Sequence, residues 1–125
     1  MNVLVEEWVK KAEGDRQTAN REVKVIDSPN WDAVCFHAQQ AVEKYLKALM
    51  QRESVPFTRT HDLSQLLRAL VPKFPDLEAQ SDNMEWLTTF AAEIRYPGES
   101  ATEDDAKQAV TIMESIITLI HSNLE

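Results

Sequence analysis

Apolar residues recur every three or four positions along most of the chain, and this spacing is typical of amphipathic α-helices. No segment alternates apolar and polar residues with a period of two, so no β-strand is predicted. The five prolines fall between the periodic segments, as expected for helix boundaries. The pattern predicts helices over about Val3–Glu22, Trp31–Arg52, Thr60–Val71, Asp82–Ile94 and Thr102–Leu124.

The lengths and connections of these segments predict how they pack. At 1.5 Å per residue the first, second and last helices are each about 30 Å long, and matched helices with short connections favour an antiparallel bundle. No repeat or flexible linker suggests a second domain. We therefore predict an all-α fold, an up-and-down antiparallel bundle of four long helices plus a shorter one, as a single domain over residues 1–125.

Composition excludes several kinds of site. The chain has two glycines, too few for a phosphate-binding glycine loop or a dinucleotide fingerprint. Its single cysteine, Cys35, rules out a disulfide framework and a thiolate zinc cage, and is interpreted as a small core residue. The apolar stretches are too short to span a membrane, and the early acidic residues do not fit a secretory signal, so a cytoplasmic protein is expected.

The charge balance bears on possible ligands. With 13 Lys and Arg against 21 Asp and Glu, the net charge is −8, which disfavours tight non-specific binding to nucleic acid. Acidic residues crowd the start of the last segment, whereas basic residues collect in the middle of the chain, at Lys44, Lys47, Arg52, Arg59 and Arg68. An anionic ligand is therefore expected to meet the middle stretch.

The second predicted helix carries a polar stripe with candidate chemistry. At 100° per residue, one side of this helix, away from its apolar face, presents His37, Gln40, Lys44, Lys47 and Gln51. No acid follows either lysine at the next turn, so their partners are not evident from spacing. A solvated polar face, a bound anion and carboxylates from a neighbouring helix, such as Asp15, all fit this pattern.

Two further places could hold an anion. His61, expected at the first position of the third helix, can join the free N–H groups there, although packing or capping is the commoner role. Arg95 and Tyr96 end the fourth predicted helix at the mouth of the bundle, where ligand sites are often built. The three histidines lie far apart without paired carboxylates at ligand spacing, so no metal or other cofactor is expected, and His121 is interpreted as structural.

Several segments resemble motifs of the HEPN domain family (higher eukaryotes and prokaryotes nucleotide-binding). The stretch from Phe36 to Leu49 is similar to the signature helix of that family, and Thr60–Leu63 is similar to its second motif. Arg95–Pro97 and the acidic opening Thr102–Asp105 look like its third. The likeness extends over nearly the whole chain. It implies a small up-and-down helical bundle, usually a homodimer, found in bacteria and archaea.

The resemblance also implies a partner and an activity. Such proteins are often encoded beside a minimal nucleotidyltransferase, with which they form a toxin–antitoxin-like pair, and some of these partners modify a tyrosine near the third motif, here Tyr96. Active toxins of the family cleave RNA without a metal, using an Arg followed after four to six residues by a His. Arg95 matches the Arg, but Ser100, Ala101 and Thr102 occupy the positions for the His. The catalytic imidazole is therefore missing from this motif.

These observations favour one function and leave two alternatives. We expect a non-catalytic HEPN-type module that dimerises, binds a nucleotide or a partner protein, and pairs with a minimal nucleotidyltransferase. The alternatives are a metal-independent ribonuclease, in which His37 or His61 supplies the missing imidazole, and a scaffolding bundle with no ligand. The candidate ligand-binding residues are Asp15, His37, Gln40, Lys44, Lys47, His61, Arg95 and Tyr96.

Overall fold

Helices joined by short connections make up the computed structural model, which describes residues 2–92 and 96–124. The prediction of an all-α fold is confirmed, and no helix among the described residues is both long and apolar enough to cross a membrane. In chain order the elements are α1 (Val3–Glu22), α2 (Trp31–Arg52), α3 (Leu63–Leu70), a 3-10 helix (Pro75–Gln80), α4 (Ser81–Thr88) and α5 (Glu103–Leu124).

Polar residues begin each of the long helices where the sequence predicts. Asn2 and Asn30 each accept a hydrogen bond from the backbone N–H three residues later, at 2.9 and 3.0 Å. Ahead of α5, Thr102 and Asp105 each accept a hydrogen bond from the other's backbone N–H, at 3.1 and 3.0 Å. Since these caps satisfy N–H groups that the helix itself leaves without partners, they fix the starts of α1, α2 and α5 locally.

The third helix begins later than predicted. Asp62, not Thr60, is its N-cap, because the Asp62 carboxylate accepts the N–H of Ser64 at 3.0 Å. The Thr60 hydroxyl accepts the N–H of Asp62 instead, at 3.1 Å. His61 therefore precedes α3 by two residues, and the prediction that it stands at the first helical position is wrong.

The fourth helix is shorter than predicted. It ends at Thr88 rather than Ile94, and three helices are long where the sequence suggested four. The Thr88 hydroxyl donates to Met84 O at 2.7 Å and accepts the N–H of Leu63 at 3.1 Å, which ties the end of α4 to the start of α3. Residues 93–95 lie outside the described residues. The 3-10 helix, only one or two turns long, was not predicted because so short a segment carries too little periodicity.

The central element of the bundle is α2, which packs against both α1 and α5. It runs antiparallel to α1, since α1 residues of lower number contact α2 residues of higher number. It runs parallel to α5, because Asp32 accepts the N–H of Ala101 and Tyr45 is bonded to His121. The chain returns from the end of α2 to the start of α5 through the segment that contains α3 and α4. Cys35 is buried, as predicted.

Gly14, in the middle of α1, offers a test of that helix. A Cβ at this position would meet no atom within 4 Å, and glycine in a helix costs about 0.5 to 1 kcal/mol relative to alanine. We therefore expect Gly14→Ala to raise the free energy of unfolding by about 0.5 to 1 kcal/mol, measured by urea denaturation. A lower free energy of unfolding in the variant would contradict this open, helical placement.

Candidate functional site

Three of the candidate residues meet between α1 and α2, and we call them the Asp15 cluster: Asp15, His37 and Lys44. One carboxylate oxygen of Asp15 lies 2.8 Å from His37 Nδ1, and the other accepts a hydrogen bond from Lys44 Nζ at 2.6 Å. The Asp15 side chain is 11 % exposed, against 25 % for His37 and 24 % for Lys44. Of the partners that the sequence left open for the polar stripe, this cluster uses a carboxylate from the neighbouring helix.

A second group surrounds a carboxylate of α2, and we call it the Glu43 cluster: Glu43, Gln39, Lys47 and His61. Glu43 accepts from Lys47 Nζ at 2.9 Å, lies 2.8 Å from His61 Nδ1, and accepts from Gln39 Nε2 at 3.3 Å. Gln39 Nε2 also donates to the backbone carbonyl of His61 at 2.9 Å. The Glu43 side chain is only 4 % exposed, whereas that of His61 is 65 % exposed. A buried carboxylate thus orients an imidazole that is largely open to solvent.

Lys47 is not part of a solvated polar face, one of the alternatives that the sequence left open, because its residue is only 6 % exposed. The rings of Trp8 and Phe57 cover its ammonium group, with their centroids 5.7 and 5.9 Å from Nζ. Its partner Glu43 stands one turn earlier on the same helix. Spacing alone could have found this pair, but not the two rings that bury it, since they come from α1 and from the connection before α3.

Gln40 extends the Glu43 cluster. Its side-chain nitrogen donates to Gln39 Oε1 at 2.7 Å, and Gln39 belongs to the Glu43 cluster. The predicted stripe therefore divides into two carboxylate-centred groups, and Gln40 belongs to the group around Glu43. Gln39 and Glu43 were missed as members because they fall between the predicted stripe and the apolar face of α2.

A third polar network connects α1, α2 and α5, and the sequence did not predict it. The Tyr45 hydroxyl donates to Glu13 and lies 2.9 Å from His121 Nε2. Arg16 donates to Glu114 at 2.7 Å and to Glu13 at 3.1 Å. These residues are far apart in the sequence, so no spacing rule could group them. His121 therefore has a structural partner, and this partner is the Tyr45 hydroxyl and not only the helix dipole.

Burial and hydrogen bonds shift the pKa values in this network. Burial acts to raise the pKa of the Glu13 carboxyl, but the hydrogen bonds from Tyr45 and Arg16 outweigh it and hold that pKa below its usual value. Burial first, and then the hydrogen bond to Glu13, raises the pKa of the Tyr45 phenol. The hydrogen bond to Glu114 is the main reason that the pKa of Arg16 is raised.

The lowered pKa of Glu13 predicts a dependence of stability on pH. A carboxyl with a lower pKa in the folded protein stabilises the fold fully above its ordinary value of 4.5, and this contribution is lost as the pH falls through the folded value. We expect the urea midpoint to fall less steeply between about pH 6 and pH 3 for Glu13→Gln than for the unchanged protein. Equal slopes in the two proteins would show that Glu13 does not contribute.

The corner before α5 contains residues 100–102, the positions at which the resemblance implies a histidine. The N–H of Ala101 donates to Asp32 at 2.6 Å, and Thr102 caps α5. These groups attach the connection to α2 and start the last helix. Tyr96 is 81 % exposed, and Arg95 lies outside the described residues. Across residues 2–92 and 96–124, no group of three or more His, Cys, Asp and Glu side chains could hold a metal ion.

Comparison with known proteins identifies the family. The sequence profile of the HEPN domain matches residues 5–123. The chain belongs to the HEPN domain family. The resemblance of its motifs is thereby confirmed. A Methanocaldococcus jannaschii protein named "Putative toxin MJ1304" is 27 % identical, over 94 % of this chain and 86 % of that protein.

Two crystal structures share the HEPN fold of this chain. TT1696 from Thermus thermophilus superposes with a TM-score of 0.80 at 22 % identity, covering 94 % of this chain and 96 % of that one. ST0689, an archaeal HEPN homologue, has a TM-score of 0.75 at 22 % identity, with 97 % and 98 % covered. At this identity the likeness establishes the fold.

Proposed function

We propose that this chain is a non-catalytic HEPN module of a toxin–antitoxin-like pair, which binds a nucleotide and a minimal nucleotidyltransferase. The observation that carries the proposal is the corner before α5. There Ala101 and Thr102 attach and cap the helix, and Ser100 to Thr102 supply no imidazole after Arg95. Serine and threonine cannot replace histidine as an acid or base near neutral pH without an activating partner.

The geometry supports different roles for the candidate residues. His37 and Lys44 are held by Asp15 across the α1–α2 interface, and Lys47 is buried against Glu43 within α2, so these side chains have structural partners. His61 keeps its ring exposed while Glu43 anchors it, which suits contact with an anionic group. Arg95 and Tyr96 remain candidates through the family motif. The similarity to a protein named as a toxin supports the toxin–antitoxin context.

Three measurements test this proposal. The purified chain should leave labelled single-stranded RNA intact in the presence of EDTA, and a nucleotide at 100 times its dissociation constant should stabilise the fold by about 2.7 kcal/mol. When co-expressed with a minimal nucleotidyltransferase from its gene neighbourhood, the chain should co-purify with that protein. Absence of both nucleotide binding and co-purification would contradict the proposal.

A second candidate function, a metal-independent ribonuclease, is favoured by one specific observation. Asp15 and Glu43 each hold the Nδ1 atom of a histidine, His37 and His61, at 2.8 Å. A carboxylate at Nδ1 fixes the imidazole tautomer and leaves Nε2 available as a general base. RNA cleavage that disappears in both His37→Ala and His61→Ala would support this function over the first.

We also propose that the partner nucleotidyltransferase modifies Tyr96 of this chain. Tyr96 is 81 % exposed, so its hydroxyl is accessible to an enzyme that transfers a nucleotidyl group. Co-expression with the neighbouring nucleotidyltransferase should increase the intact mass by one or more nucleotidyl groups, and Tyr96→Phe should abolish the increase. An unmodified mass, or an increase that survives in the Tyr96→Phe variant, would exclude Tyr96 as the acceptor.

A further inference from the structure

A polar groove lies along the C-terminal half of α1, and we call it the α1 groove. Its volume is about 410 Å³. Its lining consists of Glu13, Arg16, Gln17, Asn20, Arg21 and Lys24. The first five recur at the three- and four-residue spacing that puts them on one side of α1, and Lys24 follows the helix by two residues. All six side chains carry polar groups, so the groove offers charge and hydrogen bonds.

Two cations of the α1 groove are left without an acidic partner. Arg16 is compensated, because it donates to Glu114 at 2.7 Å and to Glu13 at 3.1 Å. Arg21 and Lys24 are exposed, and neither forms an ion pair with another residue of 2–92 and 96–124. In a chain with a net charge of −8, the groove is therefore a local site of uncompensated positive charge.

The groups of the α1 groove match carboxylates. The planar guanidinium of Arg21 can donate two parallel hydrogen bonds to one carboxylate, and Lys24 adds a second positive charge. The amide of Gln17 supplies a further donor in the same lining. A base of single-stranded nucleic acid is bound largely by stacking on aromatic rings, which the six lining side chains do not supply. The lining therefore favours acidic side chains of a protein.

The turn after Lys24 presents an apolar side chain close to these charges. Ile26 is 97 % exposed and Val25 is 38 % exposed. Two trans peptide bonds separate Lys24 from Ile26, so their Cα atoms lie within about 7.6 Å of each other. Glu22 holds the turn at both ends, since its carbonyl accepts the N–H of Val25 at 3.1 Å and its carboxylate accepts that of Asn30 at 2.9 Å. A turn that is already held loses little conformational entropy on binding, which suits an apolar contact with a protein.

We infer that the α1 groove and Ile26 form the docking surface for a protein partner that presents carboxylates next to an apolar side chain. Arg21 and Lys24 meet the carboxylates, and Ile26 meets the apolar side chain. This inference rests on the proposed function, because the partner is the nucleotidyltransferase named there. It adds the surface that holds this partner and the chemistry of recognition.

The position of the docking surface is compatible with modification of Tyr96. Asp32, in the first turn of α2, accepts the N–H of Ala101 at 2.6 Å. The turn between α1 and α2 and the corner before α5 therefore lie at the same end of the bundle. A partner held at this turn is at the end of the bundle that carries Tyr96.

Calorimetric titration of the purified nucleotidyltransferase into this chain tests the charged part of the surface. Arg21→Glu combined with Lys24→Glu reverses both charges and should weaken binding by about tenfold or more. Lys10→Glu combined with Lys11→Glu makes the same charge change at exposed positions nearer the start of α1, and this matched control should leave the dissociation constant within about twofold. All four positions are exposed, so circular dichroism should show both variants folded.

A second variant tests the apolar part of the surface. Ile26→Asp should weaken binding of the nucleotidyltransferase by about tenfold, because a carboxylate replaces the apolar contact and repels the acidic partner. Val3 is 73 % exposed at the start of α1, and Val3→Asp should leave the dissociation constant within about twofold. Unchanged binding in Ile26→Asp would remove Ile26 from the docking surface.

The remaining outcomes separate the surface from the proposed function. An unchanged dissociation constant in the variant with Arg21→Glu and Lys24→Glu would overturn the docking surface and leave the proposed partner intact. Equal weakening in this variant and in its lysine control would also overturn the surface, since net charge alone would then explain the effect. Loss of binding to labelled single-stranded RNA, with binding of the nucleotidyltransferase retained, would assign the groove to RNA instead. Failure of the unchanged, folded chain to bind the nucleotidyltransferase would overturn the surface together with the partner part of the proposed function.

Discussion

Replacement of Glu43 with glutamine is expected to lower the free energy of unfolding by about 3 to 5 kcal/mol, since removing one partner of a buried ion pair leaves the other charge without compensation. The Glu43 side chain is 4 % exposed and that of Lys47 is 8 % exposed. In the variant, Lys47 would remain between Trp8 and Phe57 without its carboxylate. Urea denaturation at neutral pH, with the protein followed by circular dichroism, measures the change.

Two further variants separate the charge effect from a loss of packing. Glu43→Gln combined with Lys47→Met removes both charges and should recover much of the lost free energy, because a buried ion pair can often be replaced by apolar groups at little cost. Glu103 and Lys107 form an exposed pair at 3.9 Å with the same spacing on α5, so Glu103→Gln should change stability by less than about 1 kcal/mol. Equal changes in the free energy of unfolding at Glu43 and Glu103 would show that burial does not increase the contribution of the Glu43–Lys47 pair to stability.

The second large effect is expected in the core of α2. Leu46 is fully buried, one turn from Glu43 and Met50, and it therefore supports the helix face next to the Glu43 cluster. Truncation of a buried leucine to alanine removes apolar contacts and leaves a cavity, which costs about 2 to 5 kcal/mol. We expect Leu46→Ala to lower the free energy of unfolding by that amount in the same urea experiment.

Leu4 supplies the control for this core substitution. It is 54 % exposed on α1, and the same change, Leu4→Ala, should alter the free energy of unfolding by no more than about 0.5 kcal/mol. The two variants carry the same substitution within a helix and differ strongly in burial. A small effect at Leu46, comparable with that at Leu4, would mean that the core does not pack around α2 as described.

The candidate site was only partly predictable from spacing along one helix. The pattern placed His37, Gln40 and Lys44 on one side of α2, and the side chains of His37 and Lys44 do meet on Asp15, whereas that of Gln40 bonds to Gln39. It could not choose Asp15 over a bound anion, because either supplies negative charge at the same place. That choice required the distance between α1 and α2.

The environment of Lys47 could not be predicted from its position on α2. Its helical position left solvent, a bound anion and a carboxylate of a neighbouring helix as alternatives, whereas rings from two other segments cover it and Glu43 on the same helix compensates its charge. His61 was placed on the N-terminus of α3, but Asp62 provides a stronger local cap, and the helix starts after it. In both cases a contact outside the window of one helix, or a competition between neighbouring caps, decided the environment of the side chain.

Residue order was enough to predict the all-α class, the extents of α1 and α2, the start of α5 and the family. Helical periodicity, proline positions and N-caps act within a few residues, and the family motifs are read directly from the chain. Packing between distant segments was needed to show that α2 runs parallel to α5, that α4 ends at Thr88, and that the polar stripe divides around Asp15 and Glu43. These features depend on which distant segments pack together. Burial and charge pairing across helices have no signal in the spacing of a single segment.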